Sequence, residues 1–430
     1  MDNEQEEEQT KKKGKNHKSI IIASIIILLI VGFFFYLIQK NNATGQVEKF
    51  KSAIEKNEYG YVSKVLSNNN DEISKTQAKY FIEYIKKPQN HKRFNKEIEQ
   101  IEKNIKDNKQ NNTDFGSLTD SKHSDIVTAK KNGKKLMFLD KITFKPHLYQ
   151  AYVKEYDNVG VYNYNIGKDM KSVTDKQKLS SVGKFFVGRY TIDTEKTIKD
   201  SLINGKVNGQ MFIDTDERDS KGKIIVDDTF HQAWFKTTIS NAQELENNKI
   251  KLHINNKETE FKPNKIYGKY AVNSDLSVYA TGVYEDKKFK TKPIKVERNH
   301  NHDIQQLELA FSKSEIDEYK AETEKLKTKS KDFMNKYVSD LNKAYDKHDY
   351  SKVDKYIKPN SKLEKQLLKL MKSKEKVKYN NLKFVDVSRE NNKIKIIMDK
   401  QLKGKKVKSE YILKQKHFKG DFEIIKYKDL

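Results

Sequence analysis

The stretch Ile20–Ile38, IIIASIIILLIVGFFFYLI, decides how the chain is organised, because it is uncharged and almost wholly apolar. An α-helix rises about 1.5 Å per residue, so this run is about 28 Å long, close to the thickness of a bilayer's hydrocarbon core. It exceeds the apolar part of a signal peptide, and the following QKNNATG is a poor cleavage site. The sequence therefore predicts an uncleaved transmembrane helix over 19–39.

The charges on the two sides of this helix predict its orientation. Five lysines crowd the preceding tail, whereas Lys40 alone follows the helix closely. Lysine-rich flanks stay in the cytoplasm, so we expect a cytoplasmic, disordered tail over 1–18 and an extracellular part that begins at residue 40. The tail also holds five acidic residues, so the whole formal net charge of +25 falls after the helix.

The composition of the part after the helix limits its function. The chain has no cysteine, which excludes a disulfide framework and thiolate sites. Nearly all its basic residues are lysines, which lack the donor fork with which arginine recognises phosphates and bases. We expect diffuse attraction to an anionic polymer such as teichoic acid, or to anionic lipid headgroups, and no nucleic acid as partner. The alternative is that the lysine-rich composition partly reflects codon bias and solubility.

Changes of periodicity along the chain predict several domains. Helical spacing runs from Gln46 to Leu66 and from Thr76 to Ile85, and a hairpin follows with its turn at 131–133. Short strands then recur, one of them with a turn at Asn208-Gly209, as in small β domains. A long helix over 314–347, shorter helices and four strands complete an α+β pattern.

The predicted fold class is therefore multidomain α+β with a single N-terminal transmembrane helix. Ser314 and Asp317 are predicted to cap the long helix. The expected parts are the cytoplasmic disordered tail (1–18), the transmembrane helix (19–39), a membrane-proximal helical plus β domain (40–148), a β domain (149–225), a β-sandwich-like domain (226–312) and a C-terminal α+β domain (313–430).

The order of these patterns resembles the TcaA family, the teicoplanin-resistance-associated membrane proteins of staphylococci. The likeness is carried by VEKFKSAIEKNEYGYVSKVLSNN (47–69), AKYFIEYIK (78–86), FFVGRYTI (185–192) and KIYGKYAVNSDLSVYATGVYEDKKFKT (265–291). The resemblance implies a C-terminal domain like nuclear transport factor two and an envelope role that affects glycopeptide susceptibility. It also implies a cytoplasmic four-cysteine zinc ribbon, which the tail MDNEQEEEQTKKKGKNHK lacks, so the ribbon's function is not carried over.

Two motifs resemble reactive or metal sites but are incomplete. His300 and His302 would share one face of a strand, as a pair of metal ligands does, yet no third ligand is evident. Ser181 and Lys184 match the Ser-x-x-Lys motif of penicillin-binding enzymes. Its partner Ser-Asp-Asn is absent, and the segment has a strand pattern rather than that of a buried helix.

A third motif, Asp214, Asp216 and Asp219, approaches a calcium loop. Arg218 occupies a ligand position of that loop, and the required glycine is missing, so a charged hairpin tip is the better interpretation. The sequence therefore predicts no catalytic residue, no cofactor and no metal site.

Interleaved tyrosines and lysines suggest a ligand groove formed by Tyr267, Lys269, Tyr270, Tyr279 and Tyr284. Tyrosine rings stack on sugars while lysines attract phosphates, which is what a teichoic acid needs. The alternative is that tyrosine simply fills half-exposed strand positions. The concave sheet face of the C-terminal domain is a further place for a small ligand.

Taken with the resemblance, these features predict a non-enzymatic, single-pass cell-envelope protein of a Gram-positive bacterium. Its extracellular domains are expected to bind teichoic acid, peptidoglycan or membrane proteins of wall synthesis, and to modulate susceptibility to teicoplanin and vancomycin. Two alternatives stay open, namely an envelope-stress sensor and an enzyme that acts on cell-wall precursors.

Overall fold

The computed structural model describes residues 3–107, 113–135, 138–272, 275–300, 302–373, 376–416 and 421–430, with side chains from residue 19 onward. The chain divides into two compact units. The first unit comprises Met1–Trp234, Ile266–Asn273 and Arg298–Asp303, and the second comprises Phe235–Lys265, Ser274–Glu297 and Ile304–Leu430.

The apolar run lies in α1 (Asn3–Asn41). Its segment Ser19–Asn41 is long and apolar enough to cross a membrane, and none of its apolar window is buried inside the protein. The prediction of one apolar N-terminal helix is confirmed. α1 extends through most of the tail, from Asn3 onward, although the side chains of 1–18 are not described. The cytoplasmic location of the tail stays a prediction.

Four amphipathic helices follow in the first unit. They are α2 (Ala43–Glu55), α3 (Tyr59–Leu66), α4 (Lys75–Ile85) and α5 (Pro88–Lys106). The single helix predicted from Gln46 to Leu66 is wrong, because the chain leaves the helix after Glu55 and Asn57 adopts a left-handed conformation with φ 59°. Asn42 caps α2, and Ser74 forms a capping box with Gln77 at the start of α4.

A three-stranded antiparallel sheet packs on these helices. Its strands are β1 (Asp114–Thr119), β2 (Asp125–Lys135) and β3 (Leu139–Pro146). Phe50 of α2 stacks on Phe144 of β3 with ring centroids 4.3 Å apart. The predicted turn at 131–133 is wrong, because β2 continues through Gly133 with a register shift between Lys131 and Lys134.

The next part of the first unit is all β, in agreement with the strand pattern. Its strands are β4 (Tyr149–Lys154), β5 (Val159–Asn165), β6 (Asp169–Val173), β7 (Leu179–Phe185), β8 (Arg189–Lys199), β9 (Gly205–Asp214), β10 (Ile224–Ile225) and β11 (Asp227–Asp228). They form sheets of order β10-β4-β7 and β11-β9-β8-β5-β6, whose buried faces share one core. The predicted turn at Asn208-Gly209 is wrong, because both residues lie inside β9, where Phe230 packs directly on Gly209.

The following strands are divided between the two units, with the boundary inside the first of them, after Trp234. They are β12 (Gln232–Ser240), β13 (Lys251–Ile254), β14 (Lys257–Glu260), β15 (Tyr267–Ala271), β16 (Leu276–Tyr284), β17 (Lys287–Lys290), β18 (Ile294–Val296) and β19 (Gln305–Ala310). In the second unit, β14-β13-β16-β17 form one sheet, β18 also pairs with β16, and β19 runs parallel to β12 from Phe235 onward. The domain boundaries after residues 148, 225 and 312 stay predictions.

The C-terminal part of the second unit has the predicted α+β arrangement. It contains α6 (Lys313–Lys347), 3-10 turns at Tyr350–Lys352 and Asp354–Tyr356, α7 (Lys362–Lys372), β20 (Tyr379–Glu390), β21 (Lys393–Leu402), β22 (Lys405–Gln415) and β23 (Phe422–Asp429). The four strands form an antiparallel sheet in sequence order, and the helices share an apolar core with it. The predicted cap is displaced by two residues, because the side chain of Ser312, not Ser314, accepts the amide of Glu315.

Candidate functional site

Three residues of the predicted groove lie on β15 in the first unit. The rings of Tyr267 and Tyr270 are fully buried, so neither offers a face on which a sugar can stack. The Lys269 ammonium lies 4.9 Å from the ring centroid of Trp234 and 4.0 Å from Asp228 Oδ2. These tyrosines fill the interior, since β15 is buried along most of its length.

The other two predicted groove residues lie on β16 in the second unit. The half-buried ring of Tyr279 stacks on His253 at 4.6 Å, and the Lys290 ammonium lies 3.8 Å from its centroid. Tyr284 makes an edge contact with Tyr319 at 6.4 Å. Both rings thus already contact side chains of the protein, and the five predicted residues divide between the two units.

The histidine and serine motifs occupy ordinary surface positions. His302 pairs with Asp227, with 2.7 Å between Nε2 and Oδ1, and His300 is exposed. Ser181 and Lys184 lie on β7, as the strand pattern predicted. Among the described residues there is no group of three or more histidine, aspartate or glutamate side chains that is arranged to hold a metal ion.

Each of the three aspartates of the calcium-like motif has a partner within the protein. Asp214 forms an ion pair with Arg189, and Asp216 accepts a hydrogen bond from the Tyr84 hydroxyl at 3.1 Å. Asp219 accepts backbone amides of its own turn, which lowers the pKa of its carboxyl group. The interpretation as a charged hairpin tip thus agrees with these contacts.

A cavity of about 510 Å³ opens in the C-terminal part of the second unit, between α6, α7 and the sheet. Its wall is mostly leucine and tyrosine, with a few polar groups, and we call it the tyrosine cavity. It is lined by Tyr337, Leu341, Tyr345, Leu363, Gln366, Leu367, Lys369, Leu370, Ser373, Tyr379, Lys400, Tyr411, Tyr427 and Asp429.

Lys400 is the unusual residue of the tyrosine cavity, because only 2% of it is exposed. Its ammonium donates to the hydroxyls of Tyr411 at 2.8 Å and Tyr427 at 3.3 Å, and it lies 4.4 Å from the ring centroid of Tyr379. Burial lowers the pKa of Lys400 to about 8, although the charge of Asp429 acts in the opposite direction.

Hydrogen bonds extend from this lysine to the end of the chain. The Tyr427 hydroxyl donates to Asp429, whose Oδ1 also accepts the Ser409 hydroxyl at 2.6 Å. Burial raises the pKa of the Tyr427 and Tyr411 hydroxyls well above the usual value. Both tyrosines therefore remain neutral hydrogen-bond donors at physiological pH.

A second depression, of about 720 Å³, lies at another part of the same sheet, and we call it the cationic groove. Its apolar lining comes from Leu326 and from the largely buried Ile394 and Phe422, and among the described lining residues only Glu322 carries a carboxylate. The remaining lining residues are basic or amide side chains, namely Lys325, Lys329, Arg389, Asn391, Asn392, Lys393, Gln415 and Lys416.

The basic residues of the cationic groove differ in their partners. Arg389 is held within the protein, since its guanidinium donates to Thr323 at 3.1 Å and lies 4.4 Å from the centroid of Tyr319. Lys325, Lys329 and Lys393 are exposed, and among the described residues they form no ion pair. These three ammonium ions are therefore available to an anionic ligand.

Sequence reasoning missed Lys400, although a signal for it existed. β21 alternates so that Ile394, Ile396 and Met398 lie on the buried face, and the same period of two places Lys400 on that face. A lysine on the buried face of a strand usually has polar partners of its own, because the burial of an unpartnered ammonium ion is costly.

Domain models of one protein family match three parts of the chain. They are the TcaA protein second domain at residues 44–146, the TcaA protein 3rd/4th domain at 236–311 and the TcaA protein NTF2-like domain at 326–428. The last description, which refers to nuclear transport factor two, agrees with the observed helices and antiparallel sheet. The chain belongs to the TcaA family.

Curated relatives carry the same family name, "Membrane-associated protein TcaA". The one from Staphylococcus saprophyticus is 27% identical over 75% of this chain and 69% of its own length. That of Staphylococcus haemolyticus is 26% identical over 76% and 71%, and that of Staphylococcus aureus strain MW2 is 25% identical over 87% and 81%. Together with the apolar span Ser19–Asn41, this membership supports a single-pass membrane protein.

Proposed function

We propose that this TcaA family member is a non-enzymatic envelope protein of a Gram-positive bacterium that binds teichoic acid through the domains after its transmembrane helix. Its N-terminus lies in the cytoplasm, and the domains from residue 40 onward lie outside the cell. Binding to the wall polymer changes the access of glycopeptides to the wall, and so modulates susceptibility to teicoplanin and vancomycin.

The observation that carries this proposal is the cationic groove. Lys325, Lys329 and Lys393 present three ammonium ions, whereas Glu322 is the one carboxylate among the described residues that line the groove. Such a concentration of one sign of charge attracts polyanions over a distance and increases their local concentration. The whole net charge of +25 lies after the helix, which acts in the same direction.

The chemistry of a teichoic acid matches the groove better than that of a folded anionic protein. Such a polymer repeats phosphates separated by polyols, so it needs cations that tolerate a shifting register. Lysine provides this, because its ammonium ion is a flexible point charge without the fixed geometry of arginine. The carbon skeleton of the polyol can lie on the half-buried Leu326.

The test measures binding of the full chain, in uncharged detergent micelles, to purified cell walls with and without teichoic acid. We expect binding that requires teichoic acid and falls between about 0.1 M and about 1 M salt, because the screening length drops from about 10 Å to about 3 Å. Binding that persists without teichoic acid and resists salt would indicate peptidoglycan and contradict the proposal. No binding at all would leave a membrane protein of wall synthesis as the partner.

Paired variants test whether the groove itself is responsible. The triple change Lys325→Gln, Lys329→Gln and Lys393→Gln removes its three unpaired charges. A lysine near an anionic surface contributes about 1 kcal/mol, so the loss of three should weaken binding by roughly a hundredfold.

The matched control neutralises three exposed lysines elsewhere in the same domain, Lys362, Lys365 and Lys372 of α7. An equal loss in the control would show that attraction is diffuse and that the groove has no special role. In cells, the groove variant should shift the teicoplanin concentration that inhibits growth in the direction that deletion of the whole gene does.

A further inference from the structure

The tyrosine cavity encloses the buried ammonium ion of Lys400. Lys400 is almost fully buried, yet among the described residues no carboxylate lies within ion-pair distance of its ammonium. The nearest charged influence is Asp429, which already accepts two hydroxyls. A buried ammonium ion is usually paired, because its removal from water costs on the order of several kcal/mol.

Hydrogen-bond donors remain available around this cation. The ammonium has three N–H groups, and the hydroxyls of Tyr411 and Tyr427 accept two of them. The proton of the Tyr411 hydroxyl has no acceptor among the described residues, and neither has that of Tyr337, whose ring centroid is 6.2 Å from that of Tyr411. The Lys400 ammonium and the Tyr411 hydroxyl are therefore adjacent donors, and the ring of Tyr337 lies beside Tyr411.

The rest of the cavity is apolar and of small-molecule size. Leu341, Leu363, Leu367 and Leu370 line it, and its volume of about 510 Å³ falls in the range of ligand pockets. A free inorganic anion would leave this apolar wall uncovered, and a neutral apolar molecule would leave the donors unpaired. Both parts of the cavity are satisfied only by a ligand that combines an anionic group with an apolar body.

We propose that the tyrosine cavity binds a small organic anion, with its carboxylate or phosphate at Lys400, Tyr411 and Tyr337 and its apolar body against the leucines. This site is separate in its lining from the cationic groove, and it does not depend on the binding of wall polymer. It gives the C-terminal domain a ligand of its own, which the domain recognises by charge at one end and by burial at the other.

The experiment compares two ligands that differ only in charge. The full chain in uncharged detergent micelles is titrated calorimetrically with 2-naphthoate and with its neutral analogue 2-naphthamide, and empty micelles provide the blank. We expect 2-naphthoate to bind roughly tenfold to a hundredfold more tightly, the range expected for a hydrogen bond to a charged group. Equal affinities, or no binding of 2-naphthoate at millimolar concentrations, would overturn the proposal.

Two variants assign the effect to the lysine. Lys400→Met keeps the length of the side chain and should abolish the preference for 2-naphthoate, whereas Lys426→Met on the exposed side of β23 should retain it. Circular dichroism verifies that both variants are folded. Retention of the preference in a folded Lys400→Met variant would exclude the proposed site.

The pH dependence of the unmodified chain gives a test that needs no variant. Between about pH 7 and pH 9.5 Lys400 loses its proton, since its pKa is about 8, so the affinity for 2-naphthoate should fall as the pH rises. The affinity for 2-naphthamide should stay constant. An unchanged affinity for 2-naphthoate would contradict the role of Lys400.

Other titratable or charged side chains line the tyrosine cavity together with Lys400. They are Tyr337 and Tyr345 on α6, Lys369 on α7, Tyr379 on β20, Tyr411 on β22, and Tyr427 and Asp429 on β23. Burial raises the pKa of Tyr337, Tyr379, Tyr411 and Tyr427, so these hydroxyls stay neutral over the range. A Lys369→Gln variant should keep the pH dependence of the affinity for 2-naphthoate. If this variant lost the pH dependence, Lys369 rather than Lys400 would be the cation that binds the anion.

A last arm distinguishes a soluble anion from a lipid. Phosphatidylglycerol is added to the micelles while 2-naphthoate is titrated. Competition would support a lipid anion as the natural occupant, and unchanged affinity would support a soluble one, with the same chemistry recognised in both cases.

Discussion

Glu155 and Lys196 form an ion pair in the first unit, with 2.7 Å between Oε1 and Nζ, although both side chains are fully buried. Glu155 also accepts hydrogen bonds from Tyr162 at 2.6 Å and from Asn158 at 2.8 Å. Burial raises the pKa of Glu155, but the nearby lysines lower it by more, so the carboxylate is ionised. Its contribution to stability is therefore complete at neutral pH and is lost as the pH falls.

The loss of one partner of this pair should be more harmful than the loss of both charges. Lys196→Met leaves a buried carboxylate without its cation, and we expect the free energy of unfolding to fall by about 3–5 kcal/mol. The double change Glu155→Gln and Lys196→Met should cost much less, because the amide still accepts from Tyr162. The two units need not unfold together, so a single unfolding curve does not isolate the first unit. Hydrogen exchange of β4, β5 and β8 in the full chain measures the stability of that unit directly.

Lys199→Met, at the exposed end of the same strand, serves as the control and should leave exchange unchanged. If Lys196→Met exchanged no faster than this control, the buried pair would be without importance for the stability of the first unit.

At the scale of elements, the sequence predicted the helices and strands well where a single face is buried. α4, α6 and α7 agree with the predicted helices, and the four strands of the last sheet agree with the predicted strands. The errors lie where a local signal was outweighed by packing. Asn208-Gly209 has the chemistry of a turn, but the contact of Gly209 with Phe230 keeps both residues inside β9.

The candidate sites were less accessible to prediction for a related reason. Tyr267 and Tyr270 lie on either side of Lys269 in the sequence, which suggests an exposed strand. Their burial depends on strands that are distant in the sequence. For Lys400 the burial can be predicted from its position on β21, but its partners cannot. The tyrosines around it come from three other strands, β20, β22 and β23. A site assembled from several strands has no local pattern by which it can be recognised.

The start of α6 allows the two possible caps to be compared. Ser312 has the extended backbone of an N-cap, and its hydroxyl accepts the amide of Glu315 at 3.4 Å, whereas Ser314 lies inside the helix. Ser312→Ala should therefore destabilise the first turn by about 0.5–1 kcal/mol, and Ser314→Ala should have almost no effect. Hydrogen exchange of the amides at 315–317 measures both; a larger effect at Ser314 would restore the cap predicted from the sequence.

For the whole molecule, the decisive property is the separation of charge by the membrane helix. The tail is neutral, and the whole net charge of +25 belongs to the residues after the helix. Neither the cationic groove nor the tyrosine cavity can meet an extracellular ligand unless these residues lie outside the cell. Membrane orientation is therefore the premise on which the proposed wall binding depends.

The absence of cysteine from the chain makes this orientation directly measurable. A single Ser220→Cys change places a thiol in an exposed turn of the first unit, and Thr10→Cys places one in the tail. Because the lysine-rich flank should stay inside, a membrane-impermeant maleimide added to intact cells should label the Ser220→Cys chain and leave the Thr10→Cys chain unlabelled until lysis. The unmodified chain is the blank for both. The reverse pattern would place the folded units in the cytoplasm, and teichoic acid would then be excluded as their partner.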